Sequence, residues 1–327
     1  MLRIGIAGCG RASQIHLARL LDRGDVEVVG LADPNPVAAK AMADSVPQTA
    51  GPVPSFTELK EMLARVTPDV LAIFAPHRAH YRLAMDGLQA GCHVFIEKPL
   101  STNAQEADDI VKLARARGRI VGVGHQYRLR PSLIEARDRL RAGTIGTLRL
   151  VTATLSSPWL ARHQETADAW RLDPRQLGGG ILADAGDHLL DAFLWLTGEA
   201  VIEVAAFQSR LAPGLDVVTA AIVRLGDGTP ATLGLSGVCA SNLFELTFFG
   251  ETGRIRVSDA SLAVIMGAGT EQTIALQESE ATIDGDFVAA VEAGRPPCCP
   301  ADQALDTARL QEAIARSSTS GQVVRLA

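Results

Sequence analysis

"LRIGIAGCGRAS", residues 2–13, joins a short apolar run to three closely spaced small residues. A run of this length, carrying Ile4 and Ile6, suits a strand buried on both faces. Gly8 and Gly10 then permit a tight turn, and Ser13 is small enough for a following helix to lie close to the strand. Strand, glycine turn and helix N-terminus together form a cradle for a pyrophosphate, which is met by backbone N–H groups and by the helix dipole. Gly8, Gly10, Arg11 and Ala12 are the expected phosphate contacts. The pattern has little weight alone, and its context supplies the rest. VEVVGLA (26–32) reads as a second strand ending at Asp33, from which a carboxylate receives the ribose 2′-hydroxyl of NAD. Asp33-Pro34-Asn35-Pro36 offers no Arg or Lys to neutralise the 2′-phosphate of NADP, so NAD is the expected cofactor.

The alternation continues. VLAIFA (70–75), HVFIE (93–97) and IVGVG (120–124) are short apolar runs, and helical stretches separate them at about 12–23, 56–65, 79–90 and after Thr102. Ser55 with Glu58, and Thr102 with Gln105, have the spacing of capping boxes. Short buried strands alternating with helices predict a doubly wound parallel sheet over residues 1–125. Beyond it the rhythm changes. A helix is expected over 131–142 and another after Gly178-Gly179-Gly180. Strands without intervening helices follow at 147–155, 201–209, 217–225, 231–238, 244–249, 254–257 and 262–265, with Gly226-Asp227-Gly228 as a hairpin turn. Two helices, at 285–293 and 301–317, close the chain. Residues 126–327 therefore read as an α+β domain with a large, mostly antiparallel open sheet.

Composition narrows the function classes. The chain has 327 residues, 47% of them hydrophobic and 4% aromatic, so its core must be built from Ala, Val, Leu and Ile. A net charge of −6 argues against non-specific nucleic-acid binding, which depends on Lys and Arg meeting phosphates. No apolar stretch is long enough to span a membrane, and the chain opens directly on a strand. Cys9, Cys92, Cys239, Cys298 and Cys299 show neither CxxC pairing nor zinc spacing. Reduced thiols, a cytoplasmic location and no metal site are expected.

Two stretches carry chemistry. Glu97-Lys98-Pro99 follows a parallel strand, at the edge where open α/β sheets present ligand groups. A lysine there is suited to polarise a substrate oxygen during hydride transfer. In GGGILADAGDH (178–188), Asp184 and His188 are four apart, which on a helix places them on one face. A histidine with an acidic partner titrates near neutrality and suits proton transfer from an alcohol. The glycines are expected to let backbone approach substrate or cofactor.

The order of these motifs, with Pro76…His80, Gly122-Val123-Gly124-His125-Gln126-Tyr127-Arg128, WRLDPRQLGGGILADAGDH (170–188), Phe249-Gly250-Glu251-Thr252-Gly253 and Gly294-Arg295-Pro296-Pro297, resembles the glucose–fructose oxidoreductase, inositol dehydrogenase and MocA (Gfo/Idh/MocA) family over essentially the whole chain. The resemblance implies an NAD(P)-dependent oxidoreductase acting on a secondary hydroxyl or carbonyl of a sugar, cyclitol or sugar acid, and a homodimer or homotetramer assembled through the C-terminal sheet. Carried over by motif, it implies Lys98 as catalytic lysine, His188 as general acid/base and Asp184 as its partner. Pro76, His80, Glu97, Lys98 and Gln126 would lie by the cofactor; Tyr127, Arg128, Trp170 and Arg171 would join Lys98, Asp184 and His188 at the substrate. Gln126 stands where many members have asparagine. The basic residues Arg128, Arg130, Arg162, His163, Arg171 and Arg175 suit either an acidic or phosphorylated sugar or, as is common for arginine, solvation and ion pairing. An NADP-dependent reductase of an imine, diketone or dihydrodiol-type substrate is the rival within enzymes, and a non-catalytic nucleotide-responsive regulator is the rival outside them.

Overall fold

The computed structural model describes residues 1–47, 51–165 and 169–326. The chain forms two compact units. The first comprises residues 1–124 together with 281–305, and the second residues 125–280 together with 306–327.

The first unit is built on a six-stranded parallel sheet: β1 (Leu2–Ala7), β2 (Val26–Ala32), β3 (Ser55–Phe56), β4 (Val70–Ile73), β5 (His93–Ile96) and β6 (Val121–Val123), in the order 3-2-1-4-5-6. Helices α1 (Arg11–Leu21), α2 (Pro36–Ser45), α3 (Leu59–Val66), α4 (His80–Gln89) and α5 (Ala104–Arg117) connect them. Two expected caps are corrected. Ser55 pairs with Leu31 as sheet edge, so α3 begins after Glu58 without a side-chain cap bond. Asn103, not Thr102, caps α5 by accepting the Glu106 N–H at 2.9 Å, while the Gln105 amide turns to Asp109.

A single cut at residue 125 misses a return of the chain. Residues 281–305 come back to the first unit, and their helix Ile283–Ala293 brings Phe287 against Phe95, ring centroids 5.4 Å apart. The Val123 N–H donates to the Cys299 carbonyl at 3.0 Å, and Gly122 bridges Pro300. Cys299 and Pro300 thus continue the sheet edge, and none of the five cysteines is in a disulfide.

The second unit holds α6 (Pro131–Arg141), β7 (Leu148–Ser156), α7 (Trp159–Gln164), α8 (Pro174–Leu177), α9 (Ala185–Thr197), β8 (Val201–Ala212), β9 (Leu215–Leu225), β10 (Pro230–Ser236), β11 (Leu243–Gly250), β12 (Gly253–Ser258), β13 (Leu262–Met266), β14 (Gln272–Thr273) and β15 (Val324–Arg325). The nine strands run 14-13-12-11-7-10-9-8-15, antiparallel except for the β7–β10 pair. Leu133, Ala136, Leu189 and Phe193 of α6 and α9 share a core with Val151, Ala153 and Phe248 of the sheet. The short α7, α8, β14 and β15 are not legible from periodicity. No helix among the described residues is long and apolar enough to cross a membrane.

The triple glycine has a packing cause. Gly178, at φ +86°, ends α8 in the left-handed region. Gly180 lies against β9: a Cβ there would come within 1.9 Å of the Asp216 carbonyl oxygen. Asp216 in turn accepts the Gly180 and Leu182 N–H groups at 2.8 and 3.0 Å and the Thr219 hydroxyl at 3.2 Å. Gly180 therefore seats the loop on a strand, which requires a glycine there before any ligand is considered. Gly180→Ala should lower unfolding stability by at least ~3 kcal/mol through backbone overlap. Gly10→Ala, where nothing lies within 4 Å, should stay within ~1 kcal/mol of wild type. Chemical denaturation of both variants measures the contrast, and equal costs would refute it.

Candidate active site

In the first unit the strand ends converge on one edge of the sheet. Gly8 follows β1 with φ +92°, and a Cβ would lie 2.7 Å from the Phe74 carbonyl that follows β4. Only glycine fits this approach. Asp33, directly after β2, accepts the Cys9 N–H through Oδ2 and the Asn35 N–H through Oδ1, both at 2.8 Å. Its carboxylate thereby ties the glycine turn to the neighbouring strand. Gly10 is the N-cap of α1, whose first residues are Arg11 and Ala12, and the cap makes no side-chain hydrogen bond. Ser13 is buried and donates to the Gly10 carbonyl at 2.6 Å. An uncapped helix N-terminus, open space at Gly10 and a carboxylate at the end of β2 fit the pyrophosphate and ribose of a dinucleotide.

Pro76 opens a 3₁₀ turn, His77–Ala79, after β4. His80 is fully buried, its ring nitrogens 2.7 Å from the Pro99 carbonyl and 2.8 Å from the Ala75 carbonyl. Burial is the largest influence on this imidazole and lowers its pKa against the pull of the two carbonyls. Glu97 and Lys98 leave the end of β5, and the Lys98–Pro99 peptide is cis. Glu97 Oε2 accepts the Lys98 N–H at 3.0 Å, and Oε1 lies 3.1 Å from His16 Nε2. Burial would raise the Glu97 pKa, but the hydrogen bond and charge of His16, with Lys98 and His80 adding, bring it below the ordinary value.

The second unit presents its own group of residues. His188, in the first turns of α9, stacks on Tyr127, ring centroids 4.7 Å apart and planes 9° apart. The Arg130 guanidinium covers Tyr127 at 3.4 Å and the Phe244 ring meets Tyr127 at 4.8 Å, edge-on. His125 stands edge-on to His188 at 6.2 Å. Its Nε2 lies 2.5 Å from Asp187 Oδ2 and its Nδ1 3.3 Å from Asp191 Oδ1. Asp187 also accepts from the Gln311 amide at 2.7 Å.

Several sequence expectations change here. Asp184 is not on the helix with His188. It is the N-cap, with φ −104° and ψ −88°, and the helix begins at Ala185. Its carboxylate accepts the Trp159 indole N–H at 2.8 Å and lies 3.4 Å from Arg171 Nε and 3.7 Å from His163 Nε2. The Arg171 guanidinium sits 4.4 Å over Trp170, so Trp159, His163, Trp170, Arg171 and Asp184 form one cluster. Arg128 is buried, and Asp191 Oδ2 and Oδ1 accept its Nε–H and a terminal N–H at 2.9 and 2.6 Å. That pair is part of the framework under α9, whereas the sequence reading set Arg128 at the substrate. Gln126 opens the exposed start of a 3₁₀ turn, Gln126–Leu129, in this second unit. Sequence reasoning missed His16, Asp284, Asp187 and Asp216. His16 alone carried a signal, as a polar residue beside Leu17 and Leu20 on the inner face of α1.

Comparison with known proteins agrees with this architecture. Residues 2–125 match the "Oxidoreductase family, NAD-binding Rossmann fold", and residues 133–256 match the "GFO/IDH/MocA C-terminal domain". The chain is 29% identical over 200 residues to D-glucoside 3-dehydrogenase of Escherichia coli, a match spanning 60% of this chain and 54% of that relative's length. It is 26% identical to UDP-N-acetylglucosamine 3-dehydrogenase of Acidithiobacillus ferrooxidans, over 91% of each chain. The WlbA dehydrogenase of Bordetella pertussis, solved with NADH and UDP-GlcNAcA, superimposes with a TM-score of 0.85 at 24% identity, over 100% of this chain and 99% of that one. With both of its domains matched, and with a parallel sheet joined to a mostly antiparallel one, the chain belongs to the Gfo/Idh/MocA family of oxidoreductases.

Proposed function

We propose that the protein is a nicotinamide-dependent dehydrogenase that oxidises a secondary hydroxyl of a sugar, cyclitol or sugar acid, or reduces the corresponding carbonyl. One observation carries the reading. The Gly8–Gly10 turn, Asp33, Pro76 and Lys98 all follow the C-terminal ends of adjacent strands (β2, β1, β4, β5) in one parallel sheet, the edge at which such sheets bind ligands. Gly10, Arg11 and Ala12 would receive the pyrophosphate, and Asp33 the ribose hydroxyls. Bound there, the nicotinamide supplies a hydride acceptor or donor.

In the proposed chemistry Lys98 donates a hydrogen bond to the substrate oxygen and stabilises the negative charge that grows on it. His188 takes the hydroxyl proton and returns it in the reverse direction. Stacking on Tyr127 fixes the plane of the His188 ring, and preorientation of this kind limits the reach of a proton acceptor to one direction. Asp184, held by Trp159 and Arg171, would bind substrate hydroxyls from the start of α9. The relatives named for glucosides and nucleotide sugars support a polyhydroxy substrate.

NADH formation, followed at its absorbance band against polyols, aldoses, sugar acids, inositols and nucleotide sugars, tests the activity. Lys98→Ala and His188→Ala should each lower turnover by on the order of 10²–10⁴; wild-type turnover in both would sink the assignment. Asp33 should also set a preference for NAD. Replacing it by Ala is expected to shift the NAD/NADP ratio of kcat/KM by about tenfold or more, the worth of one charged hydrogen bond. An unchanged ratio would count against its ribose role.

We also propose that copies of the chain associate through the open sheet. Phe207 of β8 and Ile222 of β9 point to the same sheet face and are 81% and 61% exposed, a large apolar exposure for a monomer. Sedimentation should show a dimer or tetramer that Phe207→Glu dissociates, and a monomeric wild type would overturn this.

A further inference from the structure

We infer that His16, clamped between Glu97 and Asp284, is a positioning residue that holds the turn carrying Lys98. This rests on the reading of Lys98 given above, but the observation behind it is independent and lies wholly within the first unit.

His16 sits on the buried face of α1 with its side chain 7% exposed. Its Nδ1 is 2.6 Å from Asp284 Oδ1, and its Nε2 is 3.1 Å from Glu97 Oε1. The ring stacks on Phe74 at 4.4 Å and 18°, and tilts against Phe95 at 5.7 Å. An ionised carboxylate only accepts hydrogen bonds, so contacts at both ring nitrogens require N–H on both. His16 is therefore an imidazolium between two carboxylates. Burial pulls its pKa down, but the hydrogen bonds and charges of Asp284 and Glu97 outweigh that and push it up to about 9. The other charged groups around the cluster are Arg19, 3.4 Å from Asp284 Oδ2, and Lys98 and His80 beside Glu97.

The arrangement leads directly to the lysine. Glu97 is seized by His16 through one oxygen and accepts the Lys98 backbone N–H through the other. Gly124 backs the same carboxylate, since a Cβ there would lie 2.9 Å from Glu97 Oε1. On the far side of the lysine, His80 holds the Pro99 carbonyl. The backbone that aims Lys98 is thus gripped before and after by buried histidines. His16 also answers the charge of Glu97, which would otherwise fall on the ammonium of the neighbouring lysine. Asp284 completes the clamp from the returning segment 281–305, so the last part of the chain reaches the Lys98 turn through a single ring.

The experiment uses the full-length protein. Long-range ¹H–¹⁵N spectra should show both His16 ring nitrogens protonated at pH 7.5, with the proton lost near pH 9. His16→Gln, which keeps a donor and removes the charge, should lower kcat by about tenfold to a hundredfold with little change in the KM for cofactor. Asp284→Asn keeps an acceptor and should move the high-pH fall of kcat to lower pH, a shift that a purely structural strut would not produce. It also serves as the test if His16→Gln fails to fold. A neutral ring at pH 7.5, or an unaltered high-pH limb in Asp284→Asn, overturns the inference. A wild-type kcat in His16→Gln beside an inactive Lys98→Ala overturns it alone. An active Lys98→Ala removes the catalytic reading and the inference together.

Discussion

The bond from the Cys9 amide to Asp33 is the contact on which the candidate cofactor half depends. It joins the second residue past β1 to the residue after β2 across 2.8 Å. Gly8 meanwhile lies so close to the end of β4 that no side chain fits between them. Together these contacts bring three strand ends to one edge, and the 3-2-1-4-5-6 order places β5 and its Lys98 next in line. Asp33 therefore shapes the glycine turn before any ligand arrives, whatever it offers to a ribose in the proposed function.

Each unit also buries a histidine between two carboxylates: His16 between Glu97 and Asp284, and His125 between Asp187 and Asp191. Taking such charges out of water costs several kcal/mol per ion before the pairing offsets it. Apolar residues of the same volume would stabilise as well. What buried pairs supply is direction, because a bidentate or doubly bonded group has one satisfactory orientation. Both clusters adjoin a candidate catalytic side chain: Glu97 bonds the Lys98 amide, and His125 lies edge-on to His188. The cost in stability is borne beside the candidate catalytic side chains.

How much of this was legible in the sequence depended on range. The parallel sheet followed from short continuous apolar runs and the helices between them, both local patterns, and the large antiparallel sheet followed from strands without crossovers. Gly8, Gly10, Asp33 and Lys98 were found because each sits at the end of an element whose type the local pattern already indicates. Reading Asp184 and His188 as helix neighbours failed because Asp184 is the residue at which the helix has not yet begun. Its carboxylate turned to Trp159, 25 positions away, a partner that no spacing rule reaches. The third glycine has its cause equally far away, since Gly180 is packed against Asp216 of a later strand.

By itself, then, the sequence determined the class of fold and the family to which the chain belongs, and it located the glycine turn, Asp33 and Lys98 at strand ends. These rest on periodicity and on residues a few positions apart. Tertiary structure alone decided which acids hold which histidines. His16 and Asp284 are separated by 268 positions, and the segment bearing Asp284 returns to the first sheet after the whole second sheet has been built. Contacts of that length arise only when burial has already packed the elements together. The charge partners of the two clusters were settled by packing, and no local pattern announces them.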